Sequence, residues 1–241
     1  MNEEDWLLCR EPTPMIRHLL VVMRHEERKL RLLACAACRQ VWNLLSDSRS
    51  RRAVEVAELF ADGLTTLKEL ARARGDALLA AGCGERSAAW SAYWAANTKA
   101  SGPLWNAFAA AAGASARHAV DAVHSDQAQV WDDSQAQGNR QQADLIREVI
   151  GNPFRPAVPL APWLRWNHGL IPAMARSIYR EHAWDQMPIL GDALEEAGCT
   201  DSLWLDHCRS PINHVRGCWL LDALGAAPTA AAMVAATGET S

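Results

Sequence analysis

In residues 46–64, SDSRSRRAVEVAELFADGL, the apolar side chains Ala53, Val56, Ala57 and Phe60 recur at three- and four-residue spacing. That spacing lines one face of an α-helix, and it cannot alternate across a strand. Capping residues precede the run, and Gly63 follows it as a stop. Reading outward in both directions finds the same pattern. Upstream, EERKLRLLACAACRQVWNLL (26–45) places Leu30, Leu33, Ala37, Val41 and Leu44 on one face, with Trp42 following it inward. EPTPMIRHLLVVM (11–23) offers Thr13 as N-cap and Pro14 as the first helical residue. Downstream, Thr66 and Glu69 form a capping box for a helix running towards Gly82.

Residues 84–124 are Ala-rich, with Trp90, Trp94, Trp105 and Phe108 as large packing groups, and SGP (101–103) breaks them into a hairpin. NRQQADLIREVIGNPFRP (139–156) ends a helix near Gly151 and leaves it at Pro153. Pro153, Pro156, Pro159 and Pro162 mark 152–162 as a linker, with Phe154 expected to plug into the core. WLRWNHGLIPAMARSIYREHAW, MPILGDALEEAGC, TDSLWLDHC and NHVRGCWLLDALG then read as four short helices. No segment alternates as a strand would. The expectation is an all-α, multi-helix bundle of about eight to ten helices. An N-terminal bundle (1–151) with an Ala-rich middle packs on a C-terminal helical cluster (152–225), followed by a disordered tail (226–241) with little apolar surface to offset its ordering entropy.

Composition fits an ordinary globular chain: of 241 residues, 49% are hydrophobic and 22% charged. Eleven Trp demand packed surface, and a net charge of −4 argues against nucleic acid or anionic lipid as a partner. The basic runs RHEERKLR (24–31) and RSRR (49–52) are interleaved with or followed by Glu, and read as solvated helix surface. An acidic N-terminus and the lack of an apolar run of about 20 residues predict a cytoplasmic chain with no membrane span. Seven Cys without regular spacing then read as reduced thiols.

The segments RKLRLLACAACRQVW, SRRAVEVAELFADG, IREVIGNPFRP, MPILGDALEEAGC and HVRGCWLLDALG resemble a family of uncharacterised bacterial proteins abundant in Planctomycetes. Members open on a WL…PTPML stretch and close on an H-x-R-G-C-W helix. The resemblance covers about 1–70 and 145–225, and implies organisation rather than mechanism.

The chemistry-bearing residues concentrate in HCRSPINHVRGCW (207–219). With Asn213 as N-cap, His214 and Cys218 lie four apart on one helix face, and the helix start keeps the imidazole neutral. His207 and Cys208 lie one loop earlier, and Cys35 with Cys38 forms a C-x2-C pair in the N-terminal bundle. Cys35, Cys38, His207, Cys208, His214 and Cys218 thus include, though not all at once, the donors of a closed zinc site. The bland alternative is packing, since free Cys is a common buried small hydrophobe and Trp219 sits beside Cys218 as a core ring. A Cys–His nucleophile is the enzymatic version, with Asp201, Asp206 or Asp222 orienting an imidazole. Asp192, Glu195 and Glu196 read as a solvated face. No phosphate loop, dinucleotide motif or H-E-x-x-H occurs, so no catalytic residue is assigned. The leading expectation is a non-enzymatic interaction or scaffold protein with a protein partner. A zinc-stabilised helical binding module and a Cys/His-dependent enzyme are the alternatives.

Overall fold

The computed structural model describes residues 1–83, 86–102, 104–121, 127–211 and 213–227. The fold is all-α, and no strand occurs among the described residues. It divides into two compact units, the first spanning Met1–Arg147 and the second beginning at Glu148.

The first unit runs through α1 (Glu3–Leu8), α2 (Pro12–Val22), α3 (Glu27–Gln40), α4 (Ser48–Ala61), α5 (Leu67–Cys83), α6 (Arg86–Ala95), α7 (Leu104–Asp121) and most of α8 (Gln127–Ile150). The helix starts are written locally. Asn2 and Asp5 make a reciprocal capping box on α1, Asp47 accepts from the Arg49 amide at 2.8 Å, and Thr66 and Glu69 cap α5 as their spacing predicts. α2 begins two residues earlier than expected, with Glu11 as N-cap and Pro12 as the first helical residue. Both Pro12 and Pro14 then fall in the first turn, where a missing N–H costs nothing.

α3 is the central helix, packed against α4, α6 and α7. Its Leu30, Leu33, Cys35, Ala37 and Cys38 are buried, as are Ala53, Val56 and Ala57 of α4, while Phe60 is half-buried. Ala88, Ala92 and Ala95 of α6 face buried Ala107, Phe108 and Ala111 of α7, where small side chains permit close approach. α3 stops at Gln40, so Trp42 enters a 3₁₀ turn. There it is half-buried rather than core, under the Arg39 guanidinium 3.9 Å from its ring centroid.

The basic run 24–31 starts on the solvated surface expected of it, with Arg24 and His25 exposed, but departs from it at its end. Arg31 is buried, donating to the carbonyls of Asn97, Thr98 (3.0 Å) and Ala95 (3.4 Å) at the end of α6. Those carbonyls lack intrahelical donors, and a cation there also meets the negative end of the helix dipole. Arg28 pairs with buried Asp62 at 3.0 Å, and Arg39 forks onto Glu58 at 2.9 and 2.7 Å. Arg31→Met keeps the volume but orphans the carbonyls, and is expected to cost about 2 kcal/mol in urea unfolding. An unchanged midpoint would show that water replaces the guanidinium at no cost.

The second unit comprises the last turn of α8, then α9 (Ala161–Arg165), α10 (Leu170–Glu181), α11 (Met187–Glu196), α12 (Ser202–Arg209) and α13 (Trp219–Ala223). The first of the four expected helices is split, because Asn167 (φ 44) and His168 (φ 58) turn the chain left-handed between α9 and α10. Short pieces of this kind raise the helix count above the sequence expectation. Phe154 is exposed instead of plugged into the core: it sits in a turn closed by the Arg155 amide on the Asn152 carbonyl at 3.2 Å, and its own amide donates to Asn152 Oδ1 at 3.0 Å. Ile171, Ile178, Leu190, Leu194, Leu220 and Leu221 form the core, beside a chain of T-shaped contacts linking Trp163, Trp204 and Trp219. α11 and α12 pack very closely: a Cβ on Gly191 would stand 2.9 Å from Cys208 Cβ. Of the expected tail, Ala226 is buried, and residues 228–241 lie outside the described residues.

Candidate metal centre

Three segments of the second unit converge on one buried cluster. The last turn of α8 supplies Glu148, α12 supplies His207 near its C-terminus, and the turn before α13 supplies His214 and Cys218. One donor atom from each lies within 4.8 Å of all the others.

The route by which His214 and Cys218 meet differs from the expected i,i+4 helix pair. Gly217 adopts φ +91 and Cys218 is itself the N-cap of α13, so residues 214–218 are a turn. A left-handed backbone at Gly217 ends any helix begun at Asn213. The turn closes through the Cys218 amide, which donates to the Val215 carbonyl at 3.0 Å, and both side chains point inward. α8 ends in a similar way at Gly151 (φ +74), where a Cβ would meet the Trp219 ring at 3.1 Å. Gly151→Ala should therefore cost about 1–2 kcal/mol, readable in thermal unfolding, and a neutral result would show that Trp219 moves aside freely.

Glu148 lies between the two imidazoles. Its Oε1 is 3.1 Å from His214 Nδ1, and its Oε2 is 3.3 Å from His207 Nε2. His207 Nε2 also lies 3.2 Å from Cys218 Sγ. The two imidazoles meet edge to face at 5.1 Å, and the Trp219 ring covers His207 at 4.7 Å. Two buried polar atoms, Glu148 Oε2 and His214 Nε2, have no hydrogen bond.

The electrostatics keep the His207 ring ready as a donor and the thiol quiet. Burial, reinforced by nearby His214 and opposed by Glu148, pushes the His207 pKa down to about 4, so its ring is neutral at pH 7. Burial, reinforced by the Glu148 carboxylate, drives the Cys218 thiol well above its ordinary value. Such a thiol is a poor nucleophile, but a divalent cation would hold it as thiolate. A triad needs its carboxylate on the far nitrogen of the imidazole, whereas Glu148 and Cys218 both face Nε2 of His207.

Of the sequence candidates, His207, His214 and Cys218 come together. Cys35 and Cys38 lie inside the first unit. Cys35 Sγ rests 3.9 Å from the Val54 carbonyl, and Cys38 Sγ donates to the Ala34 carbonyl at 3.3 Å, with burial pushing its pKa up to about 12. Both behave as packed small hydrophobes. Cys208, next to His207, points away from it on α12 and packs against Gly191, and burial raises it likewise to about 12. Asp201, considered as an imidazole partner, instead caps α12. Asp192 and Glu195 are exposed and share Arg209 at 2.7 and 2.5 Å.

Glu148 was not anticipated. Its signal is an acid embedded among Leu145, Ile146 and Val149, all buried. An unpaired carboxylate does not stay inside such a run.

No family model, curated protein or solved structure matches the chain.

Proposed function

We propose that the chain is a helical binding module whose second unit is stabilised by a bound metal ion, and that it works by contacts rather than by catalysis. The observation that carries this reading is the buried convergence of Glu148, His207, His214 and Cys218. Burying four polar groups is costly unless each finds a partner, and a divalent cation would compensate all four at once. The Cys/His-dependent enzyme draws support only from the contact between Cys218 and His207, and the raised thiol pKa weighs against it.

The test is elemental analysis of the untagged full chain with thermal unfolding before and after chelation. About one metal ion per chain is expected, with a melting temperature that falls on chelation and recovers on repletion. A metal-free protein indifferent to both treatments would overturn the reading and leave packing as the account of the cluster.

A further inference from the structure

We infer that the ion is zinc, bound in a closed four-donor site in which Glu148 is itself a ligand beside Cys218 Sγ, His207 Nε2 and a ring nitrogen of His214. This rests on the reading of the cluster as a metal centre and adds the ion, the donor set and the lack of an exchangeable position.

The spacing supports it first. Zinc bonds of about 2.0 Å to nitrogen or oxygen and 2.3 Å to sulfur set tetrahedral edges of about 3.3–3.6 Å. Two contacts that share the His207 nitrogen, Glu148 Oε2 to Nε2 at 3.3 Å and Nε2 to Cys218 Sγ at 3.2 Å, are already close to those edges, and one donor atom from each of the four residues lies within 4.8 Å of the others. These run in series from Glu148 through His207 to Cys218, while His214 Nδ1 stands 3.1 Å from the other carboxylate oxygen, Oε1.

Donor chemistry supports it second. A thiolate with two imidazoles disfavours magnesium and calcium, which take oxygen donors. One thiolate and one carboxylate also balance the charge of a divalent ion.

The place of Glu148 is the third support. A carboxylate that only orients His214 would need one oxygen. Glu148 brings its second, Oε2, buried and without a hydrogen bond, to the side where His207 and Cys218 meet. Glu148 and Cys218 are each almost wholly buried, and the Trp219 ring lies over His207, so the fourth position belongs to protein rather than to water.

Cobalt(II) exchanged into the full chain reads the geometry directly. The expected result is a strong visible spectrum of four-coordinate cobalt with a near-ultraviolet thiolate band, unchanged by azide and displaced by zinc. Cys218→Ser should remove the thiolate band, and Glu148→Gln should shift the visible bands and weaken binding by about tenfold or more. X-ray absorption of the zinc-loaded wild type gives a readout that needs no variant to fold, with one sulfur near 2.3 Å and three lighter donors near 2.0 Å. A pale six-coordinate spectrum, a spectrum that moves on adding azide, or unaltered bands in Glu148→Gln would each overturn this donor set while leaving a metal centre standing. Failure to bind cobalt or zinc at all would overturn both.

Discussion

Alanine at His214 is expected to strip the metal from the second unit and to lower its stability by about 4 kcal/mol, the worth of a ligand present at a thousand times its dissociation constant. The side chain is buried, so its loss also leaves Glu148 without the partner it holds at 3.1 Å. Without a metal the same change still costs about 1–3 kcal/mol for the orphaned carboxylate, but a chelator then leaves both proteins where they are. The comparison is made by thermal unfolding of wild type and variant, each with and without chelator. The metal account requires that chelation destabilise the wild type and leave the variant where it is. A variant that melts with the wild type in both conditions would end that account.

Gly191→Val should cost about 3 kcal/mol, the upper part of the range for overpacking a well-fitted interface. The first added carbon would already stand 2.9 Å from Cys208 Cβ, and the two further methyl groups have nowhere to go between α11 and α12. Because α12 carries His207 as well as Cys208, forcing the helix away from α11 also displaces a donor. The variant should therefore lose metal more readily to a chelator as well as melting lower. A lower melting temperature with undiminished metal retention would show that α12 yields locally, without moving His207. Gly191→Ala is the milder control, with an effect of the same sign.

Each of these expectations turns on contacts between segments that the sequence separates. The two imidazoles belong to a helix and a turn, and their shared carboxylate precedes His214 by 66 residues. Burial of this kind also explains why the readings of His207 and Cys208 part company. Neighbours on a helix point about 100° apart, so one enters the cluster and the other packs against α11.

The amino-acid sequence by itself determined the helical class and much of its punctuation. The three- and four-residue spacing of Ala53, Val56 and Ala57, the Thr66–Glu69 box and the end of α8 at Gly151 are all local. Their energetics act within a turn or two of the chain. The same logic misled at Cys218, where helical spacing from His214 was broken by the left-handed backbone at Gly217. It misled again at Arg31, where a surface charge run in fact caps the end of α6. Only the tertiary structure decided that Glu148 joins His207, His214 and Cys218, and that Cys35 and Cys38 do not. Helix periodicity specifies which face of a segment is buried but not what that face will meet. The partner is set by how whole helices pack, a choice spread over every buried contact of the unit and absent from any single stretch of its sequence.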